Sequence, residues 1–527
     1  MAGLNMQFSD VRFSLSDLIG HAHIEKVCAL RARLTGEDAG QLSAPAKQPV
    51  DFYPQALQAR LRDLLPQVGQ VIVPCDELPT ARGATTRMFE KANHSASAPL
   101  TALGYYRVGE DGRLYLITKS EHYHTPLGHD FPGYQLIDRA KALGIPNATH
   151  NNTRGHITRL LEEELIAAAN GITVADRPAL ERVLESADPR IVNRVLNLET
   201  GSLAAEAALK MILARFYRSQ ESDAAPTYTG RTPVILVIGN DDGGLQANYH
   251  GTTVLTQAMR GMWPEFLAAL EERGIFRVAA VRPNSIEDLD AAFKQYEQAP
   301  YKIAGFFHEI VMMNYGGRLL SRKFLHHAYD LCRAHDVPTV VDEIQSCMWA
   351  PDFFLYREFD LEPAFVVLGK GFPGGEYPAS RILFSAAMDN LPQFGALVTN
   401  GQEELASLAY LVTMRWAKAN AWAIREYGEY YEGKIRQFAA RHPEHISGAE
   451  GKWHLSTIVF RDLALAKAFV KALTGMGLDI SVQTYKADCP PAVLTKLPII
   501  AGPEVIDFTI DRMEAAMSLV SSDGIAV

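Results

Sequence analysis

Residues 365–375 read FVVLGKGFPGG: an apolar run broken by one lysine, Lys370, which stands between Gly369 and Gly371. A run without polar alternation predicts a strand buried on both faces. Similar runs occur on either side, at 233–239 (PVILVIG), 276–282 (FRVAAVR), 303–311 (IAGFFHEIV), 338–344 (PTVVDEI) and 379–385 (ASRILFS). Helix-like segments separate several of them, including 285–299 (SIEDLDAAFKQYEQA) and 321–335 (SRKFLHHAYDLCRAH). Strands alternating with helices predict an α/β domain with a mostly parallel sheet. Ligands of such sheets gather outside the carboxyl ends of the strands, and the pattern puts both Asp342 and Lys370 on that rim.

The rest of the chain divides around this core. Residues 1–107 read as a mainly helical N-terminal extension, with helices at 24–34 (IEKVCALRARL) and 56–65 (ALQARLRDLL) flanking a polar break at 35–49. A turn leading into a strand at 108–117 (VGEDGRLYLI) opens a segment, 108–160, that reads as the first part of a smaller domain and its crossover. The large domain then spans 161–400. Residues 401–527 read as a smaller α+β domain with a long helical stretch at 403–442 and a final helix at 504–520.

Composition excludes several functions. The 527 residues are 47% hydrophobic and 21% charged, as in soluble globular proteins. A net charge of −10 and the absence of a long basic run argue against nucleic-acid binding. No apolar stretch approaches the roughly 20 residues that span a bilayer, and the N-terminus has no apolar core behind a basic head, so no secretory signal is expected. Five scattered cysteines (Cys28, Cys75, Cys332, Cys347, Cys489) without a CxxC pair suggest reduced thiols in a cytoplasmic protein.

Four features could carry chemistry, and each also has an ordinary structural reading. A partly buried lysine can hold a neutral, nucleophilic amine, although Lys370 could instead lay its stem on the sheet and reach solvent. Asp342 could pair with a cationic ring nitrogen or could cap the next turn. Thr200, Gly201 and Ser202 precede a strong helix former, so they could present backbone N–H groups to a phosphate or form a plain N-cap. Tyr249, in NYHGTT (248–253), could lie on a planar ring or simply pack. Taken together, an aldehyde carrier, a pyridinium, a phosphate and a flat ring describe one ligand, pyridoxal phosphate.

At this point the sequence resembles the class III aminotransferases, fold type I enzymes dependent on pyridoxal phosphate. The resemblance runs from residue 111 almost to the C-terminus, and VVDEIQS (340–346) with VVLGKGFPGG (366–375) is its most specific part. It implies a large αβα domain of three layers with a mostly parallel sheet, and a smaller α+β C-terminal domain. Lys370 is then the Schiff-base lysine and proton shuttle, Asp342 the partner of the pyridine nitrogen, and Gln345 a contact of the ring hydroxyl. Thr200, Gly201 and Ser202 match the phosphate loop, while Tyr249 and His250 match the aromatic-His-Gly stretch, with Tyr249 stacked on the ring. HEIVMMNYGG (308–317) makes Glu309 an active-site acid. VTNGQEELASLAYL (398–411) places Thr399 at the phosphate of a neighbouring subunit, which implies a homodimer with its site at the interface. The implied substrates are an amine or amino acid and a keto acid.

The departures matter too. Leu203, Ala204 and Ala205 replace the usual Glu-Ala-Asn, and CMWAPD (347–352) replaces the usual Gly-Arg-Thr-Gly. Where many members carry an arginine for the substrate α-carboxylate, the stretch 491–507 offers only Lys496, which lacks a two-pronged grip. An aminomutase, racemase, decarboxylase or lyase on the same cofactor is therefore the second reading. The NYG of 314–316, close to the Asn-Met-Gly of semialdehyde aminomutases, also favours it. A non-catalytic binding module would be expected to lose Lys370 or Asp342, and both are present. His122, His124 and His129 are close enough in sequence to suggest a metal, but the Leu-Gly-His fits the family's turn, so no metal is expected. GNDDGG (239–244) lacks the spacing of a dinucleotide loop.

Overall fold

The computed structural model describes residues 7–74, 80–81, 83–92, 95–150, 152–483 and 489–522. Cys75 lies outside the described residues. The chain is organised around a seven-stranded sheet. Its strands are β1 (Val192–Leu198), β2 (Thr232–Ile238), β3 (Arg277–Val281), β4 (Tyr301–His308), β5 (Thr339–Asp342), β6 (Phe365–Leu368) and β7 (Ser380–Ser385). Their spatial order is β1-β7-β6-β5-β4-β2-β3. Only β7 runs antiparallel to its neighbours, β6 and β1; the other pairings are parallel.

Successive residues of the central strands enter two different apolar layers. Val340, Phe365, Val367 and Phe307 pack with Ala204, Ala207 and Ala208 of helix α1 (Gly201–Leu213) on one face. Val341, Val366, Leu368 and Phe306 enter the larger cluster on the other. Both sides of each strand are therefore dry, and this is why its residues show no polar alternation. The sequence reading found six of the seven strands. The edge strand β1 went unread because Asn193, Arg194 and Asn197 interrupt its apolar pattern.

Helices Glu404–Ala419 and Ala421–Arg441 lead to a four-stranded antiparallel sheet built from Ile446–Lys452, Leu455–Phe460, Ser481–Val482 and Ala492–Leu494. A three-stranded sheet from the N-terminal part (Pro99–Leu103, Tyr106–Gly109, Leu114–Leu116) joins it: Leu116 N–H donates to Gly477 O at 2.8 Å and Asp479 N–H donates to Leu116 O at 2.9 Å. Residues near the start of the described chain fold back onto the same region: Phe8 is edge-on or tilted against Tyr53, Trp416 and Tyr427, and Tyr53 is edge-on to Trp416 and stacked on Phe131. The expected break at 35–49 in fact contains a helix, Ala39–Lys47. Asp38 starts it by accepting from Gln41 N–H at 2.9 Å, and so one of the polar residues taken as a breaker is its N-cap. Among the described residues no helix is long and apolar enough to cross a membrane.

Candidate active site

Three neighbouring parallel strands build the rim. Glu309 follows β4 directly, Asp342 is the last residue of β5, and Lys370 follows β6 after Gly369. Asp342 is buried, and its two oxygens have different partners. Oδ1 accepts from Ile344 N–H at 3.1 Å and shapes the turn, while Oδ2 lies 2.9 Å from His250 Nδ1. The turn role considered for this carboxylate is thus filled by Oδ1, while Oδ2 is held by His250 at the edge of the cavity.

Lys370 carries the backbone turn itself, with φ at +34°; neither flanking glycine has a positive φ. The turn is thus the lysine's own and not that of the glycines on either side. A lysine in the left-handed region is strained, and such strain persists only where the surroundings impose it. Gly371 is small for another reason: a Cβ there would lie 2.8 Å from Trp349 Cζ3 and 3.0 Å from Cys347 O. Burial pushes the Lys370 amine down to about 8, against the pull of Glu309 and Asp342.

At the other end, Thr200 occupies the N-cap of α1 in extended conformation, and its side chain makes no capping hydrogen bond. The first N–H groups of the helix are left to face outward. Gly201 is required there, since a Cβ would come within 2.3 Å of Ile344 Cδ1. Thr252 N–H donates to Ser202 Oγ at 3.1 Å and ties the NYHGTT loop to the helix start.

A cavity of about 510 Å³ connects these parts, running from Thr200, Gly201 and Ser202 past Tyr249 and His250 to Asp342, Gln345 and Lys370. One face of the Tyr249 ring is covered by Arg260, with Cζ 5.2 Å from the ring centroid. Gln345 Nε2 donates to Glu309 Oε1 at 3.4 Å, whereas Gln345 Oε1 is buried and has no partner among the described residues. Nine sequence-derived positions thus line this cavity or border it: Glu309 sits behind Gln345, and the others line it directly. Thr399 is exposed and does not line the cavity of its own chain. The uncapped helix start, the cradle at Gly201, the orphaned Gln345 Oε1 and the buried amine suit a phosphorylated aldehyde carrying a ring hydroxyl.

The sequence reading missed the back wall. Residues Ser120–Tyr123 take four successive left-handed conformations, with φ of 47°, 49°, 58° and 75°. Each costs roughly 1–2 kcal/mol. Side-chain bonds hold the turn: Arg107 Nη1 donates to Glu121 Oε2 at 2.6 Å, His129 Nε2 lies 2.9 Å from Glu121 Oε1, and Ser120 Oγ donates to Lys496 O at 2.6 Å. The histidines considered for a metal are thus spent otherwise. His129 serves Glu121, His122 stacks on Tyr123 with ring centroids 5.0 Å apart, and His124 lines the cavity. Burial, and then Lys370, push His122 down to about 3. Tyr123 is buried, its ring centroid is 5.3 Å from Lys370 Nζ, and its hydroxyl has no partner among the described residues.

The family model described as "Aminotransferase class-III" matches residues 96–497. The chain belongs to the class III aminotransferases, which are enzymes dependent on pyridoxal phosphate, and it has their fold type I architecture. It is 25% identical over 288 residues to the L-lysine-epsilon aminotransferase of Streptomyces clavuligerus, covering 50% of this chain and 59% of that one. It is 24% identical over 406 residues to the diaminobutyrate–2-oxoglutarate transaminase of Vibrio cholerae, covering 71% and 90%. Among solved structures, the ornithine aminotransferase of Toxoplasma gondii ME49 superposes with a TM-score of 0.63 at 18% identity, covering 89% of this chain and 100% of that one. The adenosylmethionine-8-amino-7-oxononanoate aminotransferase of Methanocaldococcus jannaschii gives 0.64 at 17%, covering 83% and 97%.

Proposed function

We propose that this chain transfers an amino group between an amine or amino acid and a keto acid, with Lys370 as covalent anchor and proton carrier. The observation that carries this reading is the convergence of Lys370, Asp342 and the uncapped start of α1 on one cavity. Pyridoxal phosphate, when bound, withdraws electrons from the amine-bearing carbon of the substrate. Lys370 Nζ takes the proton from that carbon and returns it, and a buried amine with its pKa drawn down to about 8 is suited to both steps. Asp342 holds the ring nitrogen protonated, and His250 fixes the orientation of its carboxylate. Gln345 Oε1 accepts from the ring hydroxyl. Thr200, Gly201 and Ser202 hold the phosphate, and Tyr249 lies on the ring. Glu309 positions the Gln345 amide. Thr399 serves the phosphate of a second subunit, so the working form is a homodimer, and the enzyme acts in the cytoplasm. The chain divides at 107, 160 and 400 into extension, crossover, large domain and small domain.

One observation favours the second reading, an aminomutase, racemase, decarboxylase or lyase. Lys496 is fully buried and does not line the cavity, and no arginine is among the described residues that do. The α-carboxylate grip of many relatives therefore has no counterpart among these side chains. Holoenzyme incubated with a panel of amines and amino acids, without acceptor, separates the two. Accumulation of pyridoxamine phosphate is expected; turnover without it would replace transamination by the second reading.

A further inference from the structure

Lys496 is a buried lysine that makes no ion pair among the described residues, with Glu309 the one carboxylate acting on it from a distance. Its Nζ lies 3.6 Å from the ring centroid of Trp349 and 4.2 Å from that of Tyr123, and it donates to Gln345 O. The backbone on either side is fixed: Lys496 N–H donates to Thr118 O at 2.7 Å, Lys496 O accepts from Ser120 Oγ, and Trp349 Nε1 donates to Leu497 O at 3.0 Å. Two aromatic faces and a carbonyl form a cage for an ammonium group. Lys370 Nζ is beside the same Tyr123 ring, at 5.3 Å.

We propose that Lys496 is a positioning residue of the active site, a caged cation that acts across Tyr123 to disfavour a second positive charge at Lys370. This rests on the reading of Lys370 as the cofactor lysine. Other groups face Lys370 from every side. Glu309 and Asp342 favour its charge, as does Cys347, while His122 on the left-handed turn and His124 just after it feel it as a neighbouring cation. Burial already lowers the Lys370 amine against Glu309, Asp342 and Cys347, and an opposing charge on the far side of Tyr123 would lower it further. Burial and Lys370 both pull the Lys496 amine well below the ordinary lysine range, and the two rings and the Gln345 carbonyl act against that loss of charge. The arrangement also accounts for Gly371, because any larger residue would displace Trp349 from the cage.

The test is a pH titration of the visible absorption of the holoenzyme in four proteins: wild type, Lys496→Met, Lys496→Arg and Trp349→Phe. Lys496→Met is expected to raise the midpoint by about one pH unit. Lys496→Arg should stay within a few tenths of wild type, and Trp349→Phe, which keeps a ring but weakens the cage, should rise by a smaller amount. An unchanged midpoint in Lys496→Met, or an equal rise in Lys496→Arg, would overturn the proposal, since packing rather than charge would then be at work. If Lys496→Met does not fold, Trp349→Phe decides: a midpoint equal to wild type overturns the proposal. A wild-type protein with no cofactor band overturns the reading beneath it, and is seen before any variant is made.

Discussion

The active site contains two lysines beside one tyrosine ring, and they differ in almost everything else. Lys370 ends a regular strand, opens onto the cavity and faces two carboxylates. Lys496 is sealed between aromatic rings and bonded to a main-chain carbonyl. Burial alone would pick the wrong amine, since Lys496 is fully buried and Lys370 only partly so. What distinguishes it is access to the cavity and the sign of the charges around it.

The most severe way to break this contrast is Lys370→Ala, which should abolish borohydride fixation of the cofactor and lower turnover by about three orders of magnitude. Peptide mass mapping checks it, and a cofactor fixed to the Lys496 peptide would erase the distinction between the two amines. Asp342→Asn removes a negative charge from the Lys370 side only. It should cost about a hundredfold in turnover by steady-state kinetics, while His250 keeps a hydrogen-bond partner in the amide. Gly201→Ala forces a methyl group against Ile344 and should weaken cofactor binding about thirtyfold, from roughly 2 kcal/mol of overpacking, as read by equilibrium titration.

A subtler probe uses pH. In cofactor-free protein the rate of cofactor uptake should rise with pH and level off above about 8, because the neutral Lys370 amine is the nucleophile. A flat profile would remove the premise that Lys370 titrates there. The smallest effect concerns Glu343, which is buried under the rim, accepts from Tyr356 N–H at 2.6 Å and is pushed by burial from 4.5 up to about 7. Since its folded pKa is raised, the stability held below about 4.5 is lost as pH rises to 7. Glu343→Gln should flatten that fall in melting temperature and leave the Lys370 titration in place.

The rim was legible because its residues sit where regular strands end, and apolar runs mark those ends plainly. Asp342 and Lys370 could be placed on one edge from pattern alone, and the Thr200–Ser202 helix start followed from its neighbours. The back wall was not legible. No propensity predicts four left-handed residues in SEHY, because that conformation is imposed by groups outside the segment: Arg107 and His129 on either side, and Lys496 from the far end of the chain. Lys496 was noticed only as a poor substitute for an arginine. Its ring partners, Trp349 and Tyr123, come from segments that share no sequence pattern with it.

The strand order carries a consequence for synthesis of the protein. The first strand of the large sheet, β1, pairs only with the last, β7, although the chain between them builds the other five. Helix α1 follows β1 and packs on β7 as well as on earlier strands, so the phosphate end of the cavity is complete only once Ser380–Ser385 has left the ribosome. The Lys496 cage closes later still. A nascent chain would thus carry a half-made sheet with an exposed edge for most of its synthesis, which is when such sheets are prone to mispairing. Cofactor capture would come near the end of translation, as a mark of completed folding.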